Sequence, residues 1–193
     1  MGSNVSKASK SADKILSTAE SLFNQQSFTA VGVDLIRDES GCSKTTMYTY
    51  FKNKNQLVQS VLHARDQRFR QALTDYIGQA EGLDALNKIL DWHLNWFQTD
   101  TFKGCLFVRA VAEANVQHTE IIAISRLHKQ WLYQLIRHYC NPQSGIIDLA
   151  DLLYTLLEGL ISRFLVDGYN EQIAQQTRQM FNQIFEISKT GSV

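Results

Sequence analysis

Apolar residues recur at spacings of three and four along most of the chain, and clear two-residue alternation is hard to find. The pattern predicts an all-α protein. A first helix is expected from about Ser11 to Gln25, with Ile15, Ala19, Leu22 and Phe23 on one stripe. A short helix follows at about Val33 to Ser40. Gly41-Cys42-Ser43 then makes a turn, and Ser43 is suited to cap a third short helix, Lys44 to Tyr50. Asn53 can cap a long fourth helix that carries Leu57, Val61, Leu62, Phe69, Leu73, Tyr76 and Ile77 and ends near Gly78 to Gly82. That length can join two parts of a molecule. Later helices are expected at about Leu83 to Thr99, Lys103 to Val116, Thr119 to Cys140, Ile146 to Asp167 and Glu171 to Ser188. Asn141-Pro142-Gln143-Ser144-Gly145 reads as a loop, since Pro142 cannot continue a helix.

Composition narrows the class. The 193 residues are long for one average domain and short for two, at roughly 150 residues per domain. With 44% hydrophobic and 20% charged residues, disorder is excluded for most of the chain. The polar start MGSNVSKASKSADK has no apolar signal core, and no run of 18 apolar residues follows. A cytoplasmic protein without a membrane partner is expected. Cys42, Cys105 and Cys140 are odd in number, widely spaced and free of any CxxC pair, which fits reduced, buried thiols. His118, His128 and His138 stand ten apart, not at a compact ligand spacing, so neither metal nor cofactor is expected. The chain has no glycine-rich phosphate loop, no HExxH and no nucleophile elbow, which argues against an enzyme.

The chemistry concentrates in GCSKTTMYTYFKNK, Gly41 to Lys54, which has three lysines and no acid in a chain of zero formal charge. Residues 1–54 hold seven Lys/Arg against five Asp/Glu, net +2, and residues 55–193 hold twelve against fourteen, net −2. Two short helices around a glycine turn form a helix-turn-helix. Leu35, Ile36, Cys42, Met47 and Phe51 would hold the pair against the first helix. Lys44, Thr45, Thr46, Tyr48, Thr49 and Tyr50 then face outward. Lysine reaches a phosphate or a guanine edge, threonine meets phosphate or a thymine methyl, and tyrosine hydroxyls bond the backbone, so double-stranded DNA is the expected partner.

The run VDLIRDESGCSKTTMYTYFKNKNQL, from Val33 to Leu57, resembles the DNA-binding segment of the TetR family of bacterial repressors. Gly41, Ser43, Thr46, Tyr48, Phe51, Lys54 and Leu57 fall at family-typical positions, behind an Ala19/Phe23/Phe28 pattern in the first helix. The resemblance covers residues 15–57. It implies a three-helix DNA-binding head at 11–57, behind a flexible polar tail at 1–10, and a ligand-binding and dimerisation bundle at 58–193 joined through the fourth helix. It also implies that Lys44, Thr45 and Tyr48 approach bases or nearby backbone, with Thr46, Tyr50 and Lys54 on phosphates; Ser43 and Thr49 complete the candidate DNA-binding set. Gly32 stands where a Ser or Thr usually caps the second helix, so a weaker cap is expected. Arg37 replaces a small residue and is either a further phosphate contact or a solvated arginine.

A lone head reads one half-site, so the remainder must supply dimerisation. The helices at Ile146 to Asp167 and Glu171 to Ser188 carry wide apolar faces, and Leu153, Leu156, Leu157, Leu160, Phe164, Met180, Phe181 and Ile184 are the candidate homodimer interface. Trp92, His93, Trp96, Phe97, Phe107, Arg109, Glu113 and Trp131 are the candidate pocket for a small-molecule effector, although aromatic stripes at helical spacing also serve as plain core. Arg109 interrupts an apolar run and needs a partner if buried, for which Glu113, one turn on, is placed. The expected function is a homodimeric repressor of a palindromic operator, released by an effector.

Overall fold

The computed structural model describes residues 2–115, 117–140 and 148–190, and among these every regular element is a helix. Ile15, Ala19 and Phe23 of α1 (Gly2–Gln25) are fully buried, as the stripe predicts. The helix starts well before Ser11 because Val5, Lys7, Ala8 and Lys10 permit helix and no proline stops it; the apolar stripe marks where burial begins. α2 (Val33–Ser40) ends at Gly41, whose φ of 60° is the left-handed conformation that glycine adopts at low cost. α3 (Lys44–Tyr50) begins at Ser43, whose Oγ accepts the Thr46 N–H at 3.0 Å. α4 (Lys54–Ile77) begins at Asn53, whose Oδ1 accepts the Gln56 N–H, while Gln56 Oε1 accepts the Lys52 N–H, both at 2.9 Å.

α5 (Gly82–Phe97), α6 (Leu106–Glu113), α7 (Thr119–Tyr139), α8 (Leu149–Asp167) and α9 (Glu171–Thr190) follow. α6 is shorter than the expected Lys103 to Val116. Gly104 has φ 76° and lies so near Leu165 that a Cβ would come within 2.8 Å of Leu165 Cδ2, which precludes a helix through it. At the other end Ala114 turns extended. α8 starts at Leu149, where Asp148 Oδ1 accepts the N–H groups of Ala150 and Asp151; the expected start at Ile146 lies outside the described residues. The loop expected at 141–145 lies outside the described residues. No helix among the described residues is long and apolar enough to cross a membrane.

The chain divides into two compact units. The first comprises the described residues of 1–68 and 105–126, so α1–α3, the start of α4, α6 and the start of α7 share a core with Phe23, Ile36, Leu57, Val61 and Leu106 inside. The second comprises the described residues of 69–104 and 127–193, in which α5 packs against α8 and α9 and buries Leu86, Ile89 and Leu90.

Candidate nucleic-acid interface

In the first unit, Met47 is the inward residue of α3, 2% exposed, and Phe51 and Ile36 are buried beside it. Lys44, Thr45, Tyr48 and Thr49 are exposed, Tyr48 to 43%. The remaining candidates are more constrained. Ser43 Oγ and Thr46 Oγ1 lie 2.8 Å apart within the cap, and Thr49 Oγ1 donates to the Thr45 carbonyl at 2.8 Å. Tyr50 is half-buried against the core, edge-on to Phe51.

Acids of α2 hold two of the candidate cations. Asp34 Oδ1 accepts from Arg37 Nη1 at 2.9 Å and from Lys44 Nζ at 3.2 Å, and Asp38 Oδ1 accepts from Arg37 Nε at 2.8 Å. The bond to Asp38 raises the Arg37 guanidinium further above its ordinary value. Arg37, left open between a phosphate contact and a solvated arginine, is thus pre-paired on its own helix. Sequence reasoning did not single out Asp34 and Asp38, although Asp34 and Arg37 stand at i,i+3. Lys54, at the start of α4, is half-buried; burial lowers its ammonium below the ordinary lysine value, and the charge of Glu113 opposes that. Gly32 caps α2 without a side-chain bond.

The candidate pocket residues fall into separate units. Phe107 is buried in the core around the head. Arg109 Nη1 donates to the Phe23 carbonyl at 3.1 Å and the Asn24 carbonyl at 3.0 Å, satisfying acceptors at the end of α1. Glu113 Oε2 accepts from the Thr29 N–H at 2.7 Å and from Thr29 Oγ1 at 2.9 Å. Trp92, His93, Trp96, Phe97 and Trp131 lie in the second unit. There the Phe69 ring is the hub, 4.8 Å from Trp92 and from His128, 5.8 Å from His93 and 6.2 Å from Trp131 between centroids. Phe69 is not in the candidate set, since the hub forms only where three helices meet.

Of the candidate interface residues, Leu153, Leu157, Leu160, Phe164 and Phe181 are buried within the protomer, Leu156 and Ile184 are half-buried, and Met180 is exposed. The same helices expose Val166 to 80% and Ile187 to 64%.

A helix-turn-helix head followed in the same chain by a helical bundle is the organisation of a DNA-binding transcriptional regulator. Residues 15–61 match the family described as bacterial regulatory proteins, tetR family. The chain is 22% identical over 170 residues to the HTH-type transcriptional regulator SrpR of Pseudomonas putida, covering 87% of this chain and 79% of that protein. It is 30% identical over 105 residues to the HTH-type transcriptional repressor NemR of Escherichia coli, spanning about half of each, 52% and 52%. The fold is similar to the crystal structure of SCO4454, a TetR-family transcriptional regulator from Streptomyces coelicolor, with TM-score 0.77 and 20% identity over 93% of this chain and 96% of that one. The matched segment, residues 15–61, is similar to the DNA-binding segment of the TetR family, and the fold of the chain is similar to that of TetR-family regulators.

Proposed function

We propose that the chain is a homodimeric repressor in the cytoplasm that binds a palindromic operator and is released from it by a small-molecule effector. The observation that carries this reading is α3, which buries Met47 and leaves Lys44, Thr45, Tyr48 and Thr49 on its exposed side. Residues 11–57 supply the DNA-reading head. Residues 58–193 supply the rest, with 105–126 packed into the head's own unit. Exposed Val166, Met180 and Ile187, with half-buried Leu156 and Ile184, give α8 and α9 an apolar face that a second copy would cover by two-fold symmetry. For the effector, the supporting feature is the aromatic cluster around Phe69. α4 carries both Phe69 and Lys54, so a ligand that moves the hub acts on the helix that enters the head; such coupling is typically about 1–3 kcal/mol. The regulator names of the relatives support a binding function over catalysis.

The test is selection of bound sites from a random duplex pool, then titration of the winner with wild type and Lys44→Ala at two salt concentrations. A palindrome that binds Lys44→Ala about tenfold more weakly supports the reading. Absence of enrichment, or binding indifferent to both Lys44 and salt, overturns it. A clean monomer in sedimentation at micromolar concentration would remove the dimer.

A further inference from the structure

The first unit holds a cavity of about 550 Å³. Its walls come from the chain just after α1, from the start of α4, and from the segment between α6 and α7. The volume is within the range of small-molecule sites, about 300–1,000 Å³. Phe28, Val58, Ala110, Ala114 and Ile121 make an apolar lining.

The polar groups on the walls differ in what they have left to give. Glu113 is committed through Oε2 to Thr29. Asn115 Oδ1 accepts the Gln117 N–H at 2.9 Å, which leaves its amide NH2 as a donor. His118 Nδ1 accepts the Asn115 N–H at 3.3 Å, so the neutral ring carries its proton on Nε2, a second donor. Asn53 Oδ1 caps α4, which again leaves an amide NH2. Lys54 forms no ion pair within 4.0 Å among the described residues, while its surroundings already strip water from the ammonium. The spare capacity is mostly on the donor side, against one buried acceptor, Asn55 Oδ1, and Lys54 is the cation over the apolar floor, with the Glu113 charge acting on it.

We infer that this cavity binds a small organic monoanion, a carboxylate on an apolar body, with the carboxylate on Lys54 and the body against Phe28, Val58 and Ile121. Glu113 shares the cavity and disfavours a second negative charge, which selects monoanions over dianions. Its lining residues all belong to the first unit, whereas the aromatic cluster belongs to the second. Its regulatory consequence rests on the DNA-binding reading: Lys54 belongs to the proposed phosphate-contacting set, so bound anion and operator compete for one ammonium. With the ligand present, the slope of log affinity against log salt becomes shallower by about 0.9 for each Lys54 withdrawn from a phosphate.

The test is calorimetric titration of the full chain, without DNA, with 2-naphthoate and with the neutral analogue 2-naphthalenemethanol. Saturable binding of one naphthoate per chain is expected. It should weaken at least about tenfold for the neutral analogue and for Lys54→Met, and be lost in Ala114→Phe, which fills the cavity. Far-UV circular dichroism checks that both variants keep their helix content. Photolabelling of wild type with 4-benzoylbenzoate locates the site without any substitution, and label is expected on peptides containing residues 53–58 or 110–121. No saturable binding, binding indifferent to Lys54→Met, or label confined to other peptides overturns the assignment. Because DNA is absent, each of these failures leaves the DNA-binding reading standing, and failure of operator binding leaves the titration interpretable.

Discussion

The two units share an apolar core but differ in what accompanies it. In the unit around the head, polar side chains reach across long stretches of sequence: Arg109 to the carbonyls of Phe23 and Asn24, Glu113 to Thr29, and Glu20 to Arg65 and Arg68. The bundle unit relies on rings, with Phe69 among Trp92, His93, His128 and Trp131, and on burial of α5 against α8 and α9. The head unit also has an extensive apolar core, and the bundle unit has remote ion pairs of its own, Arg178 with Asp91 and Lys129 with Glu158, so the contrast lies in the ring cluster and in the carbonyls that Arg109 satisfies. The difference teaches that the segment 105–126, remote in sequence, is part of what holds the head.

The largest expected effects test whether the units are energetically separate. Phe23 and Phe181 are each fully buried, one per unit, and replacing either with alanine should cost about 3–5 kcal/mol. All three tryptophans, Trp92, Trp96 and Trp131, lie in the bundle unit, so their fluorescence reports that unit alone, whereas far-UV circular dichroism reports both. In urea titrations at fixed protein concentration, Phe23→Ala should move the dichroism midpoint further than the fluorescence midpoint. Phe181→Ala should move fluorescence directly. Coincident shifts in both variants would show one cooperative block and break the comparison.

Acid should act chiefly on the bundle. Burial holds the His93 imidazole at about 4, below its ordinary 6.5, with Lys129 and His128 adding to the shift and the bond from Nδ1 to the Ile89 carbonyl, 2.7 Å, opposing it. The unfolded chain takes up this proton more readily than the folded one. Stability is therefore complete above pH 6.5 and is lost as pH falls toward 4, by about 3 kcal/mol over the full window. Urea midpoints followed by tryptophan fluorescence at pH 7 and pH 4.5 should fall further for wild type than for His93→Phe. Equal falls would mean that His93 is accessible to protons in the folded state.

A smaller effect is expected in the head. Arg109→Met keeps the aliphatic length and removes the two bonds to Phe23 and Asn24, leaving acceptors at the end of α1 unsatisfied. The expected loss is about 2 kcal/mol. It should appear in circular dichroism more than in fluorescence; a loss of the same size in both would move Arg109 from holding the head to holding the whole chain.

The part of this arrangement legible in sequence was the local part. Gly41, Ser43 and Asn53 mark helix ends by their own chemistry, and α2 and α3 fall on the expected residues because the deciding hydrogen bonds are within four residues. The long-range part was not legible. Arg109 could be seen to need a partner, but acceptors 85 and 86 residues away cannot be inferred from helical spacing, which pointed to Glu113. Nor can periodicity say which flank of a broadly apolar helix faces its own core: in α8 it takes Leu153, Leu157, Leu160 and Phe164, and leaves Val166 outside.

The finest test adds a local bond where the head lacks one. Gly32 occupies the cap position of α2 with φ −83° and ψ 160°, a backbone any residue adopts, and a Cβ there meets nothing within 4 Å. A serine at this position can accept an N–H from the first turn of α2, as Ser43 does for α3, and it also reduces the freedom of the unfolded chain. Gly32→Ser should therefore stabilise the head by roughly 0.5–1 kcal/mol, read as a rise in the dichroism midpoint with the fluorescence midpoint almost unmoved. No gain would mean that the N–H groups at the start of α2 are already satisfied by solvent, and that the head's stability lies in its long-range bonds rather than its caps. A gain together with tighter operator binding would add a second conclusion, that the serine hydroxyl also reaches a phosphate.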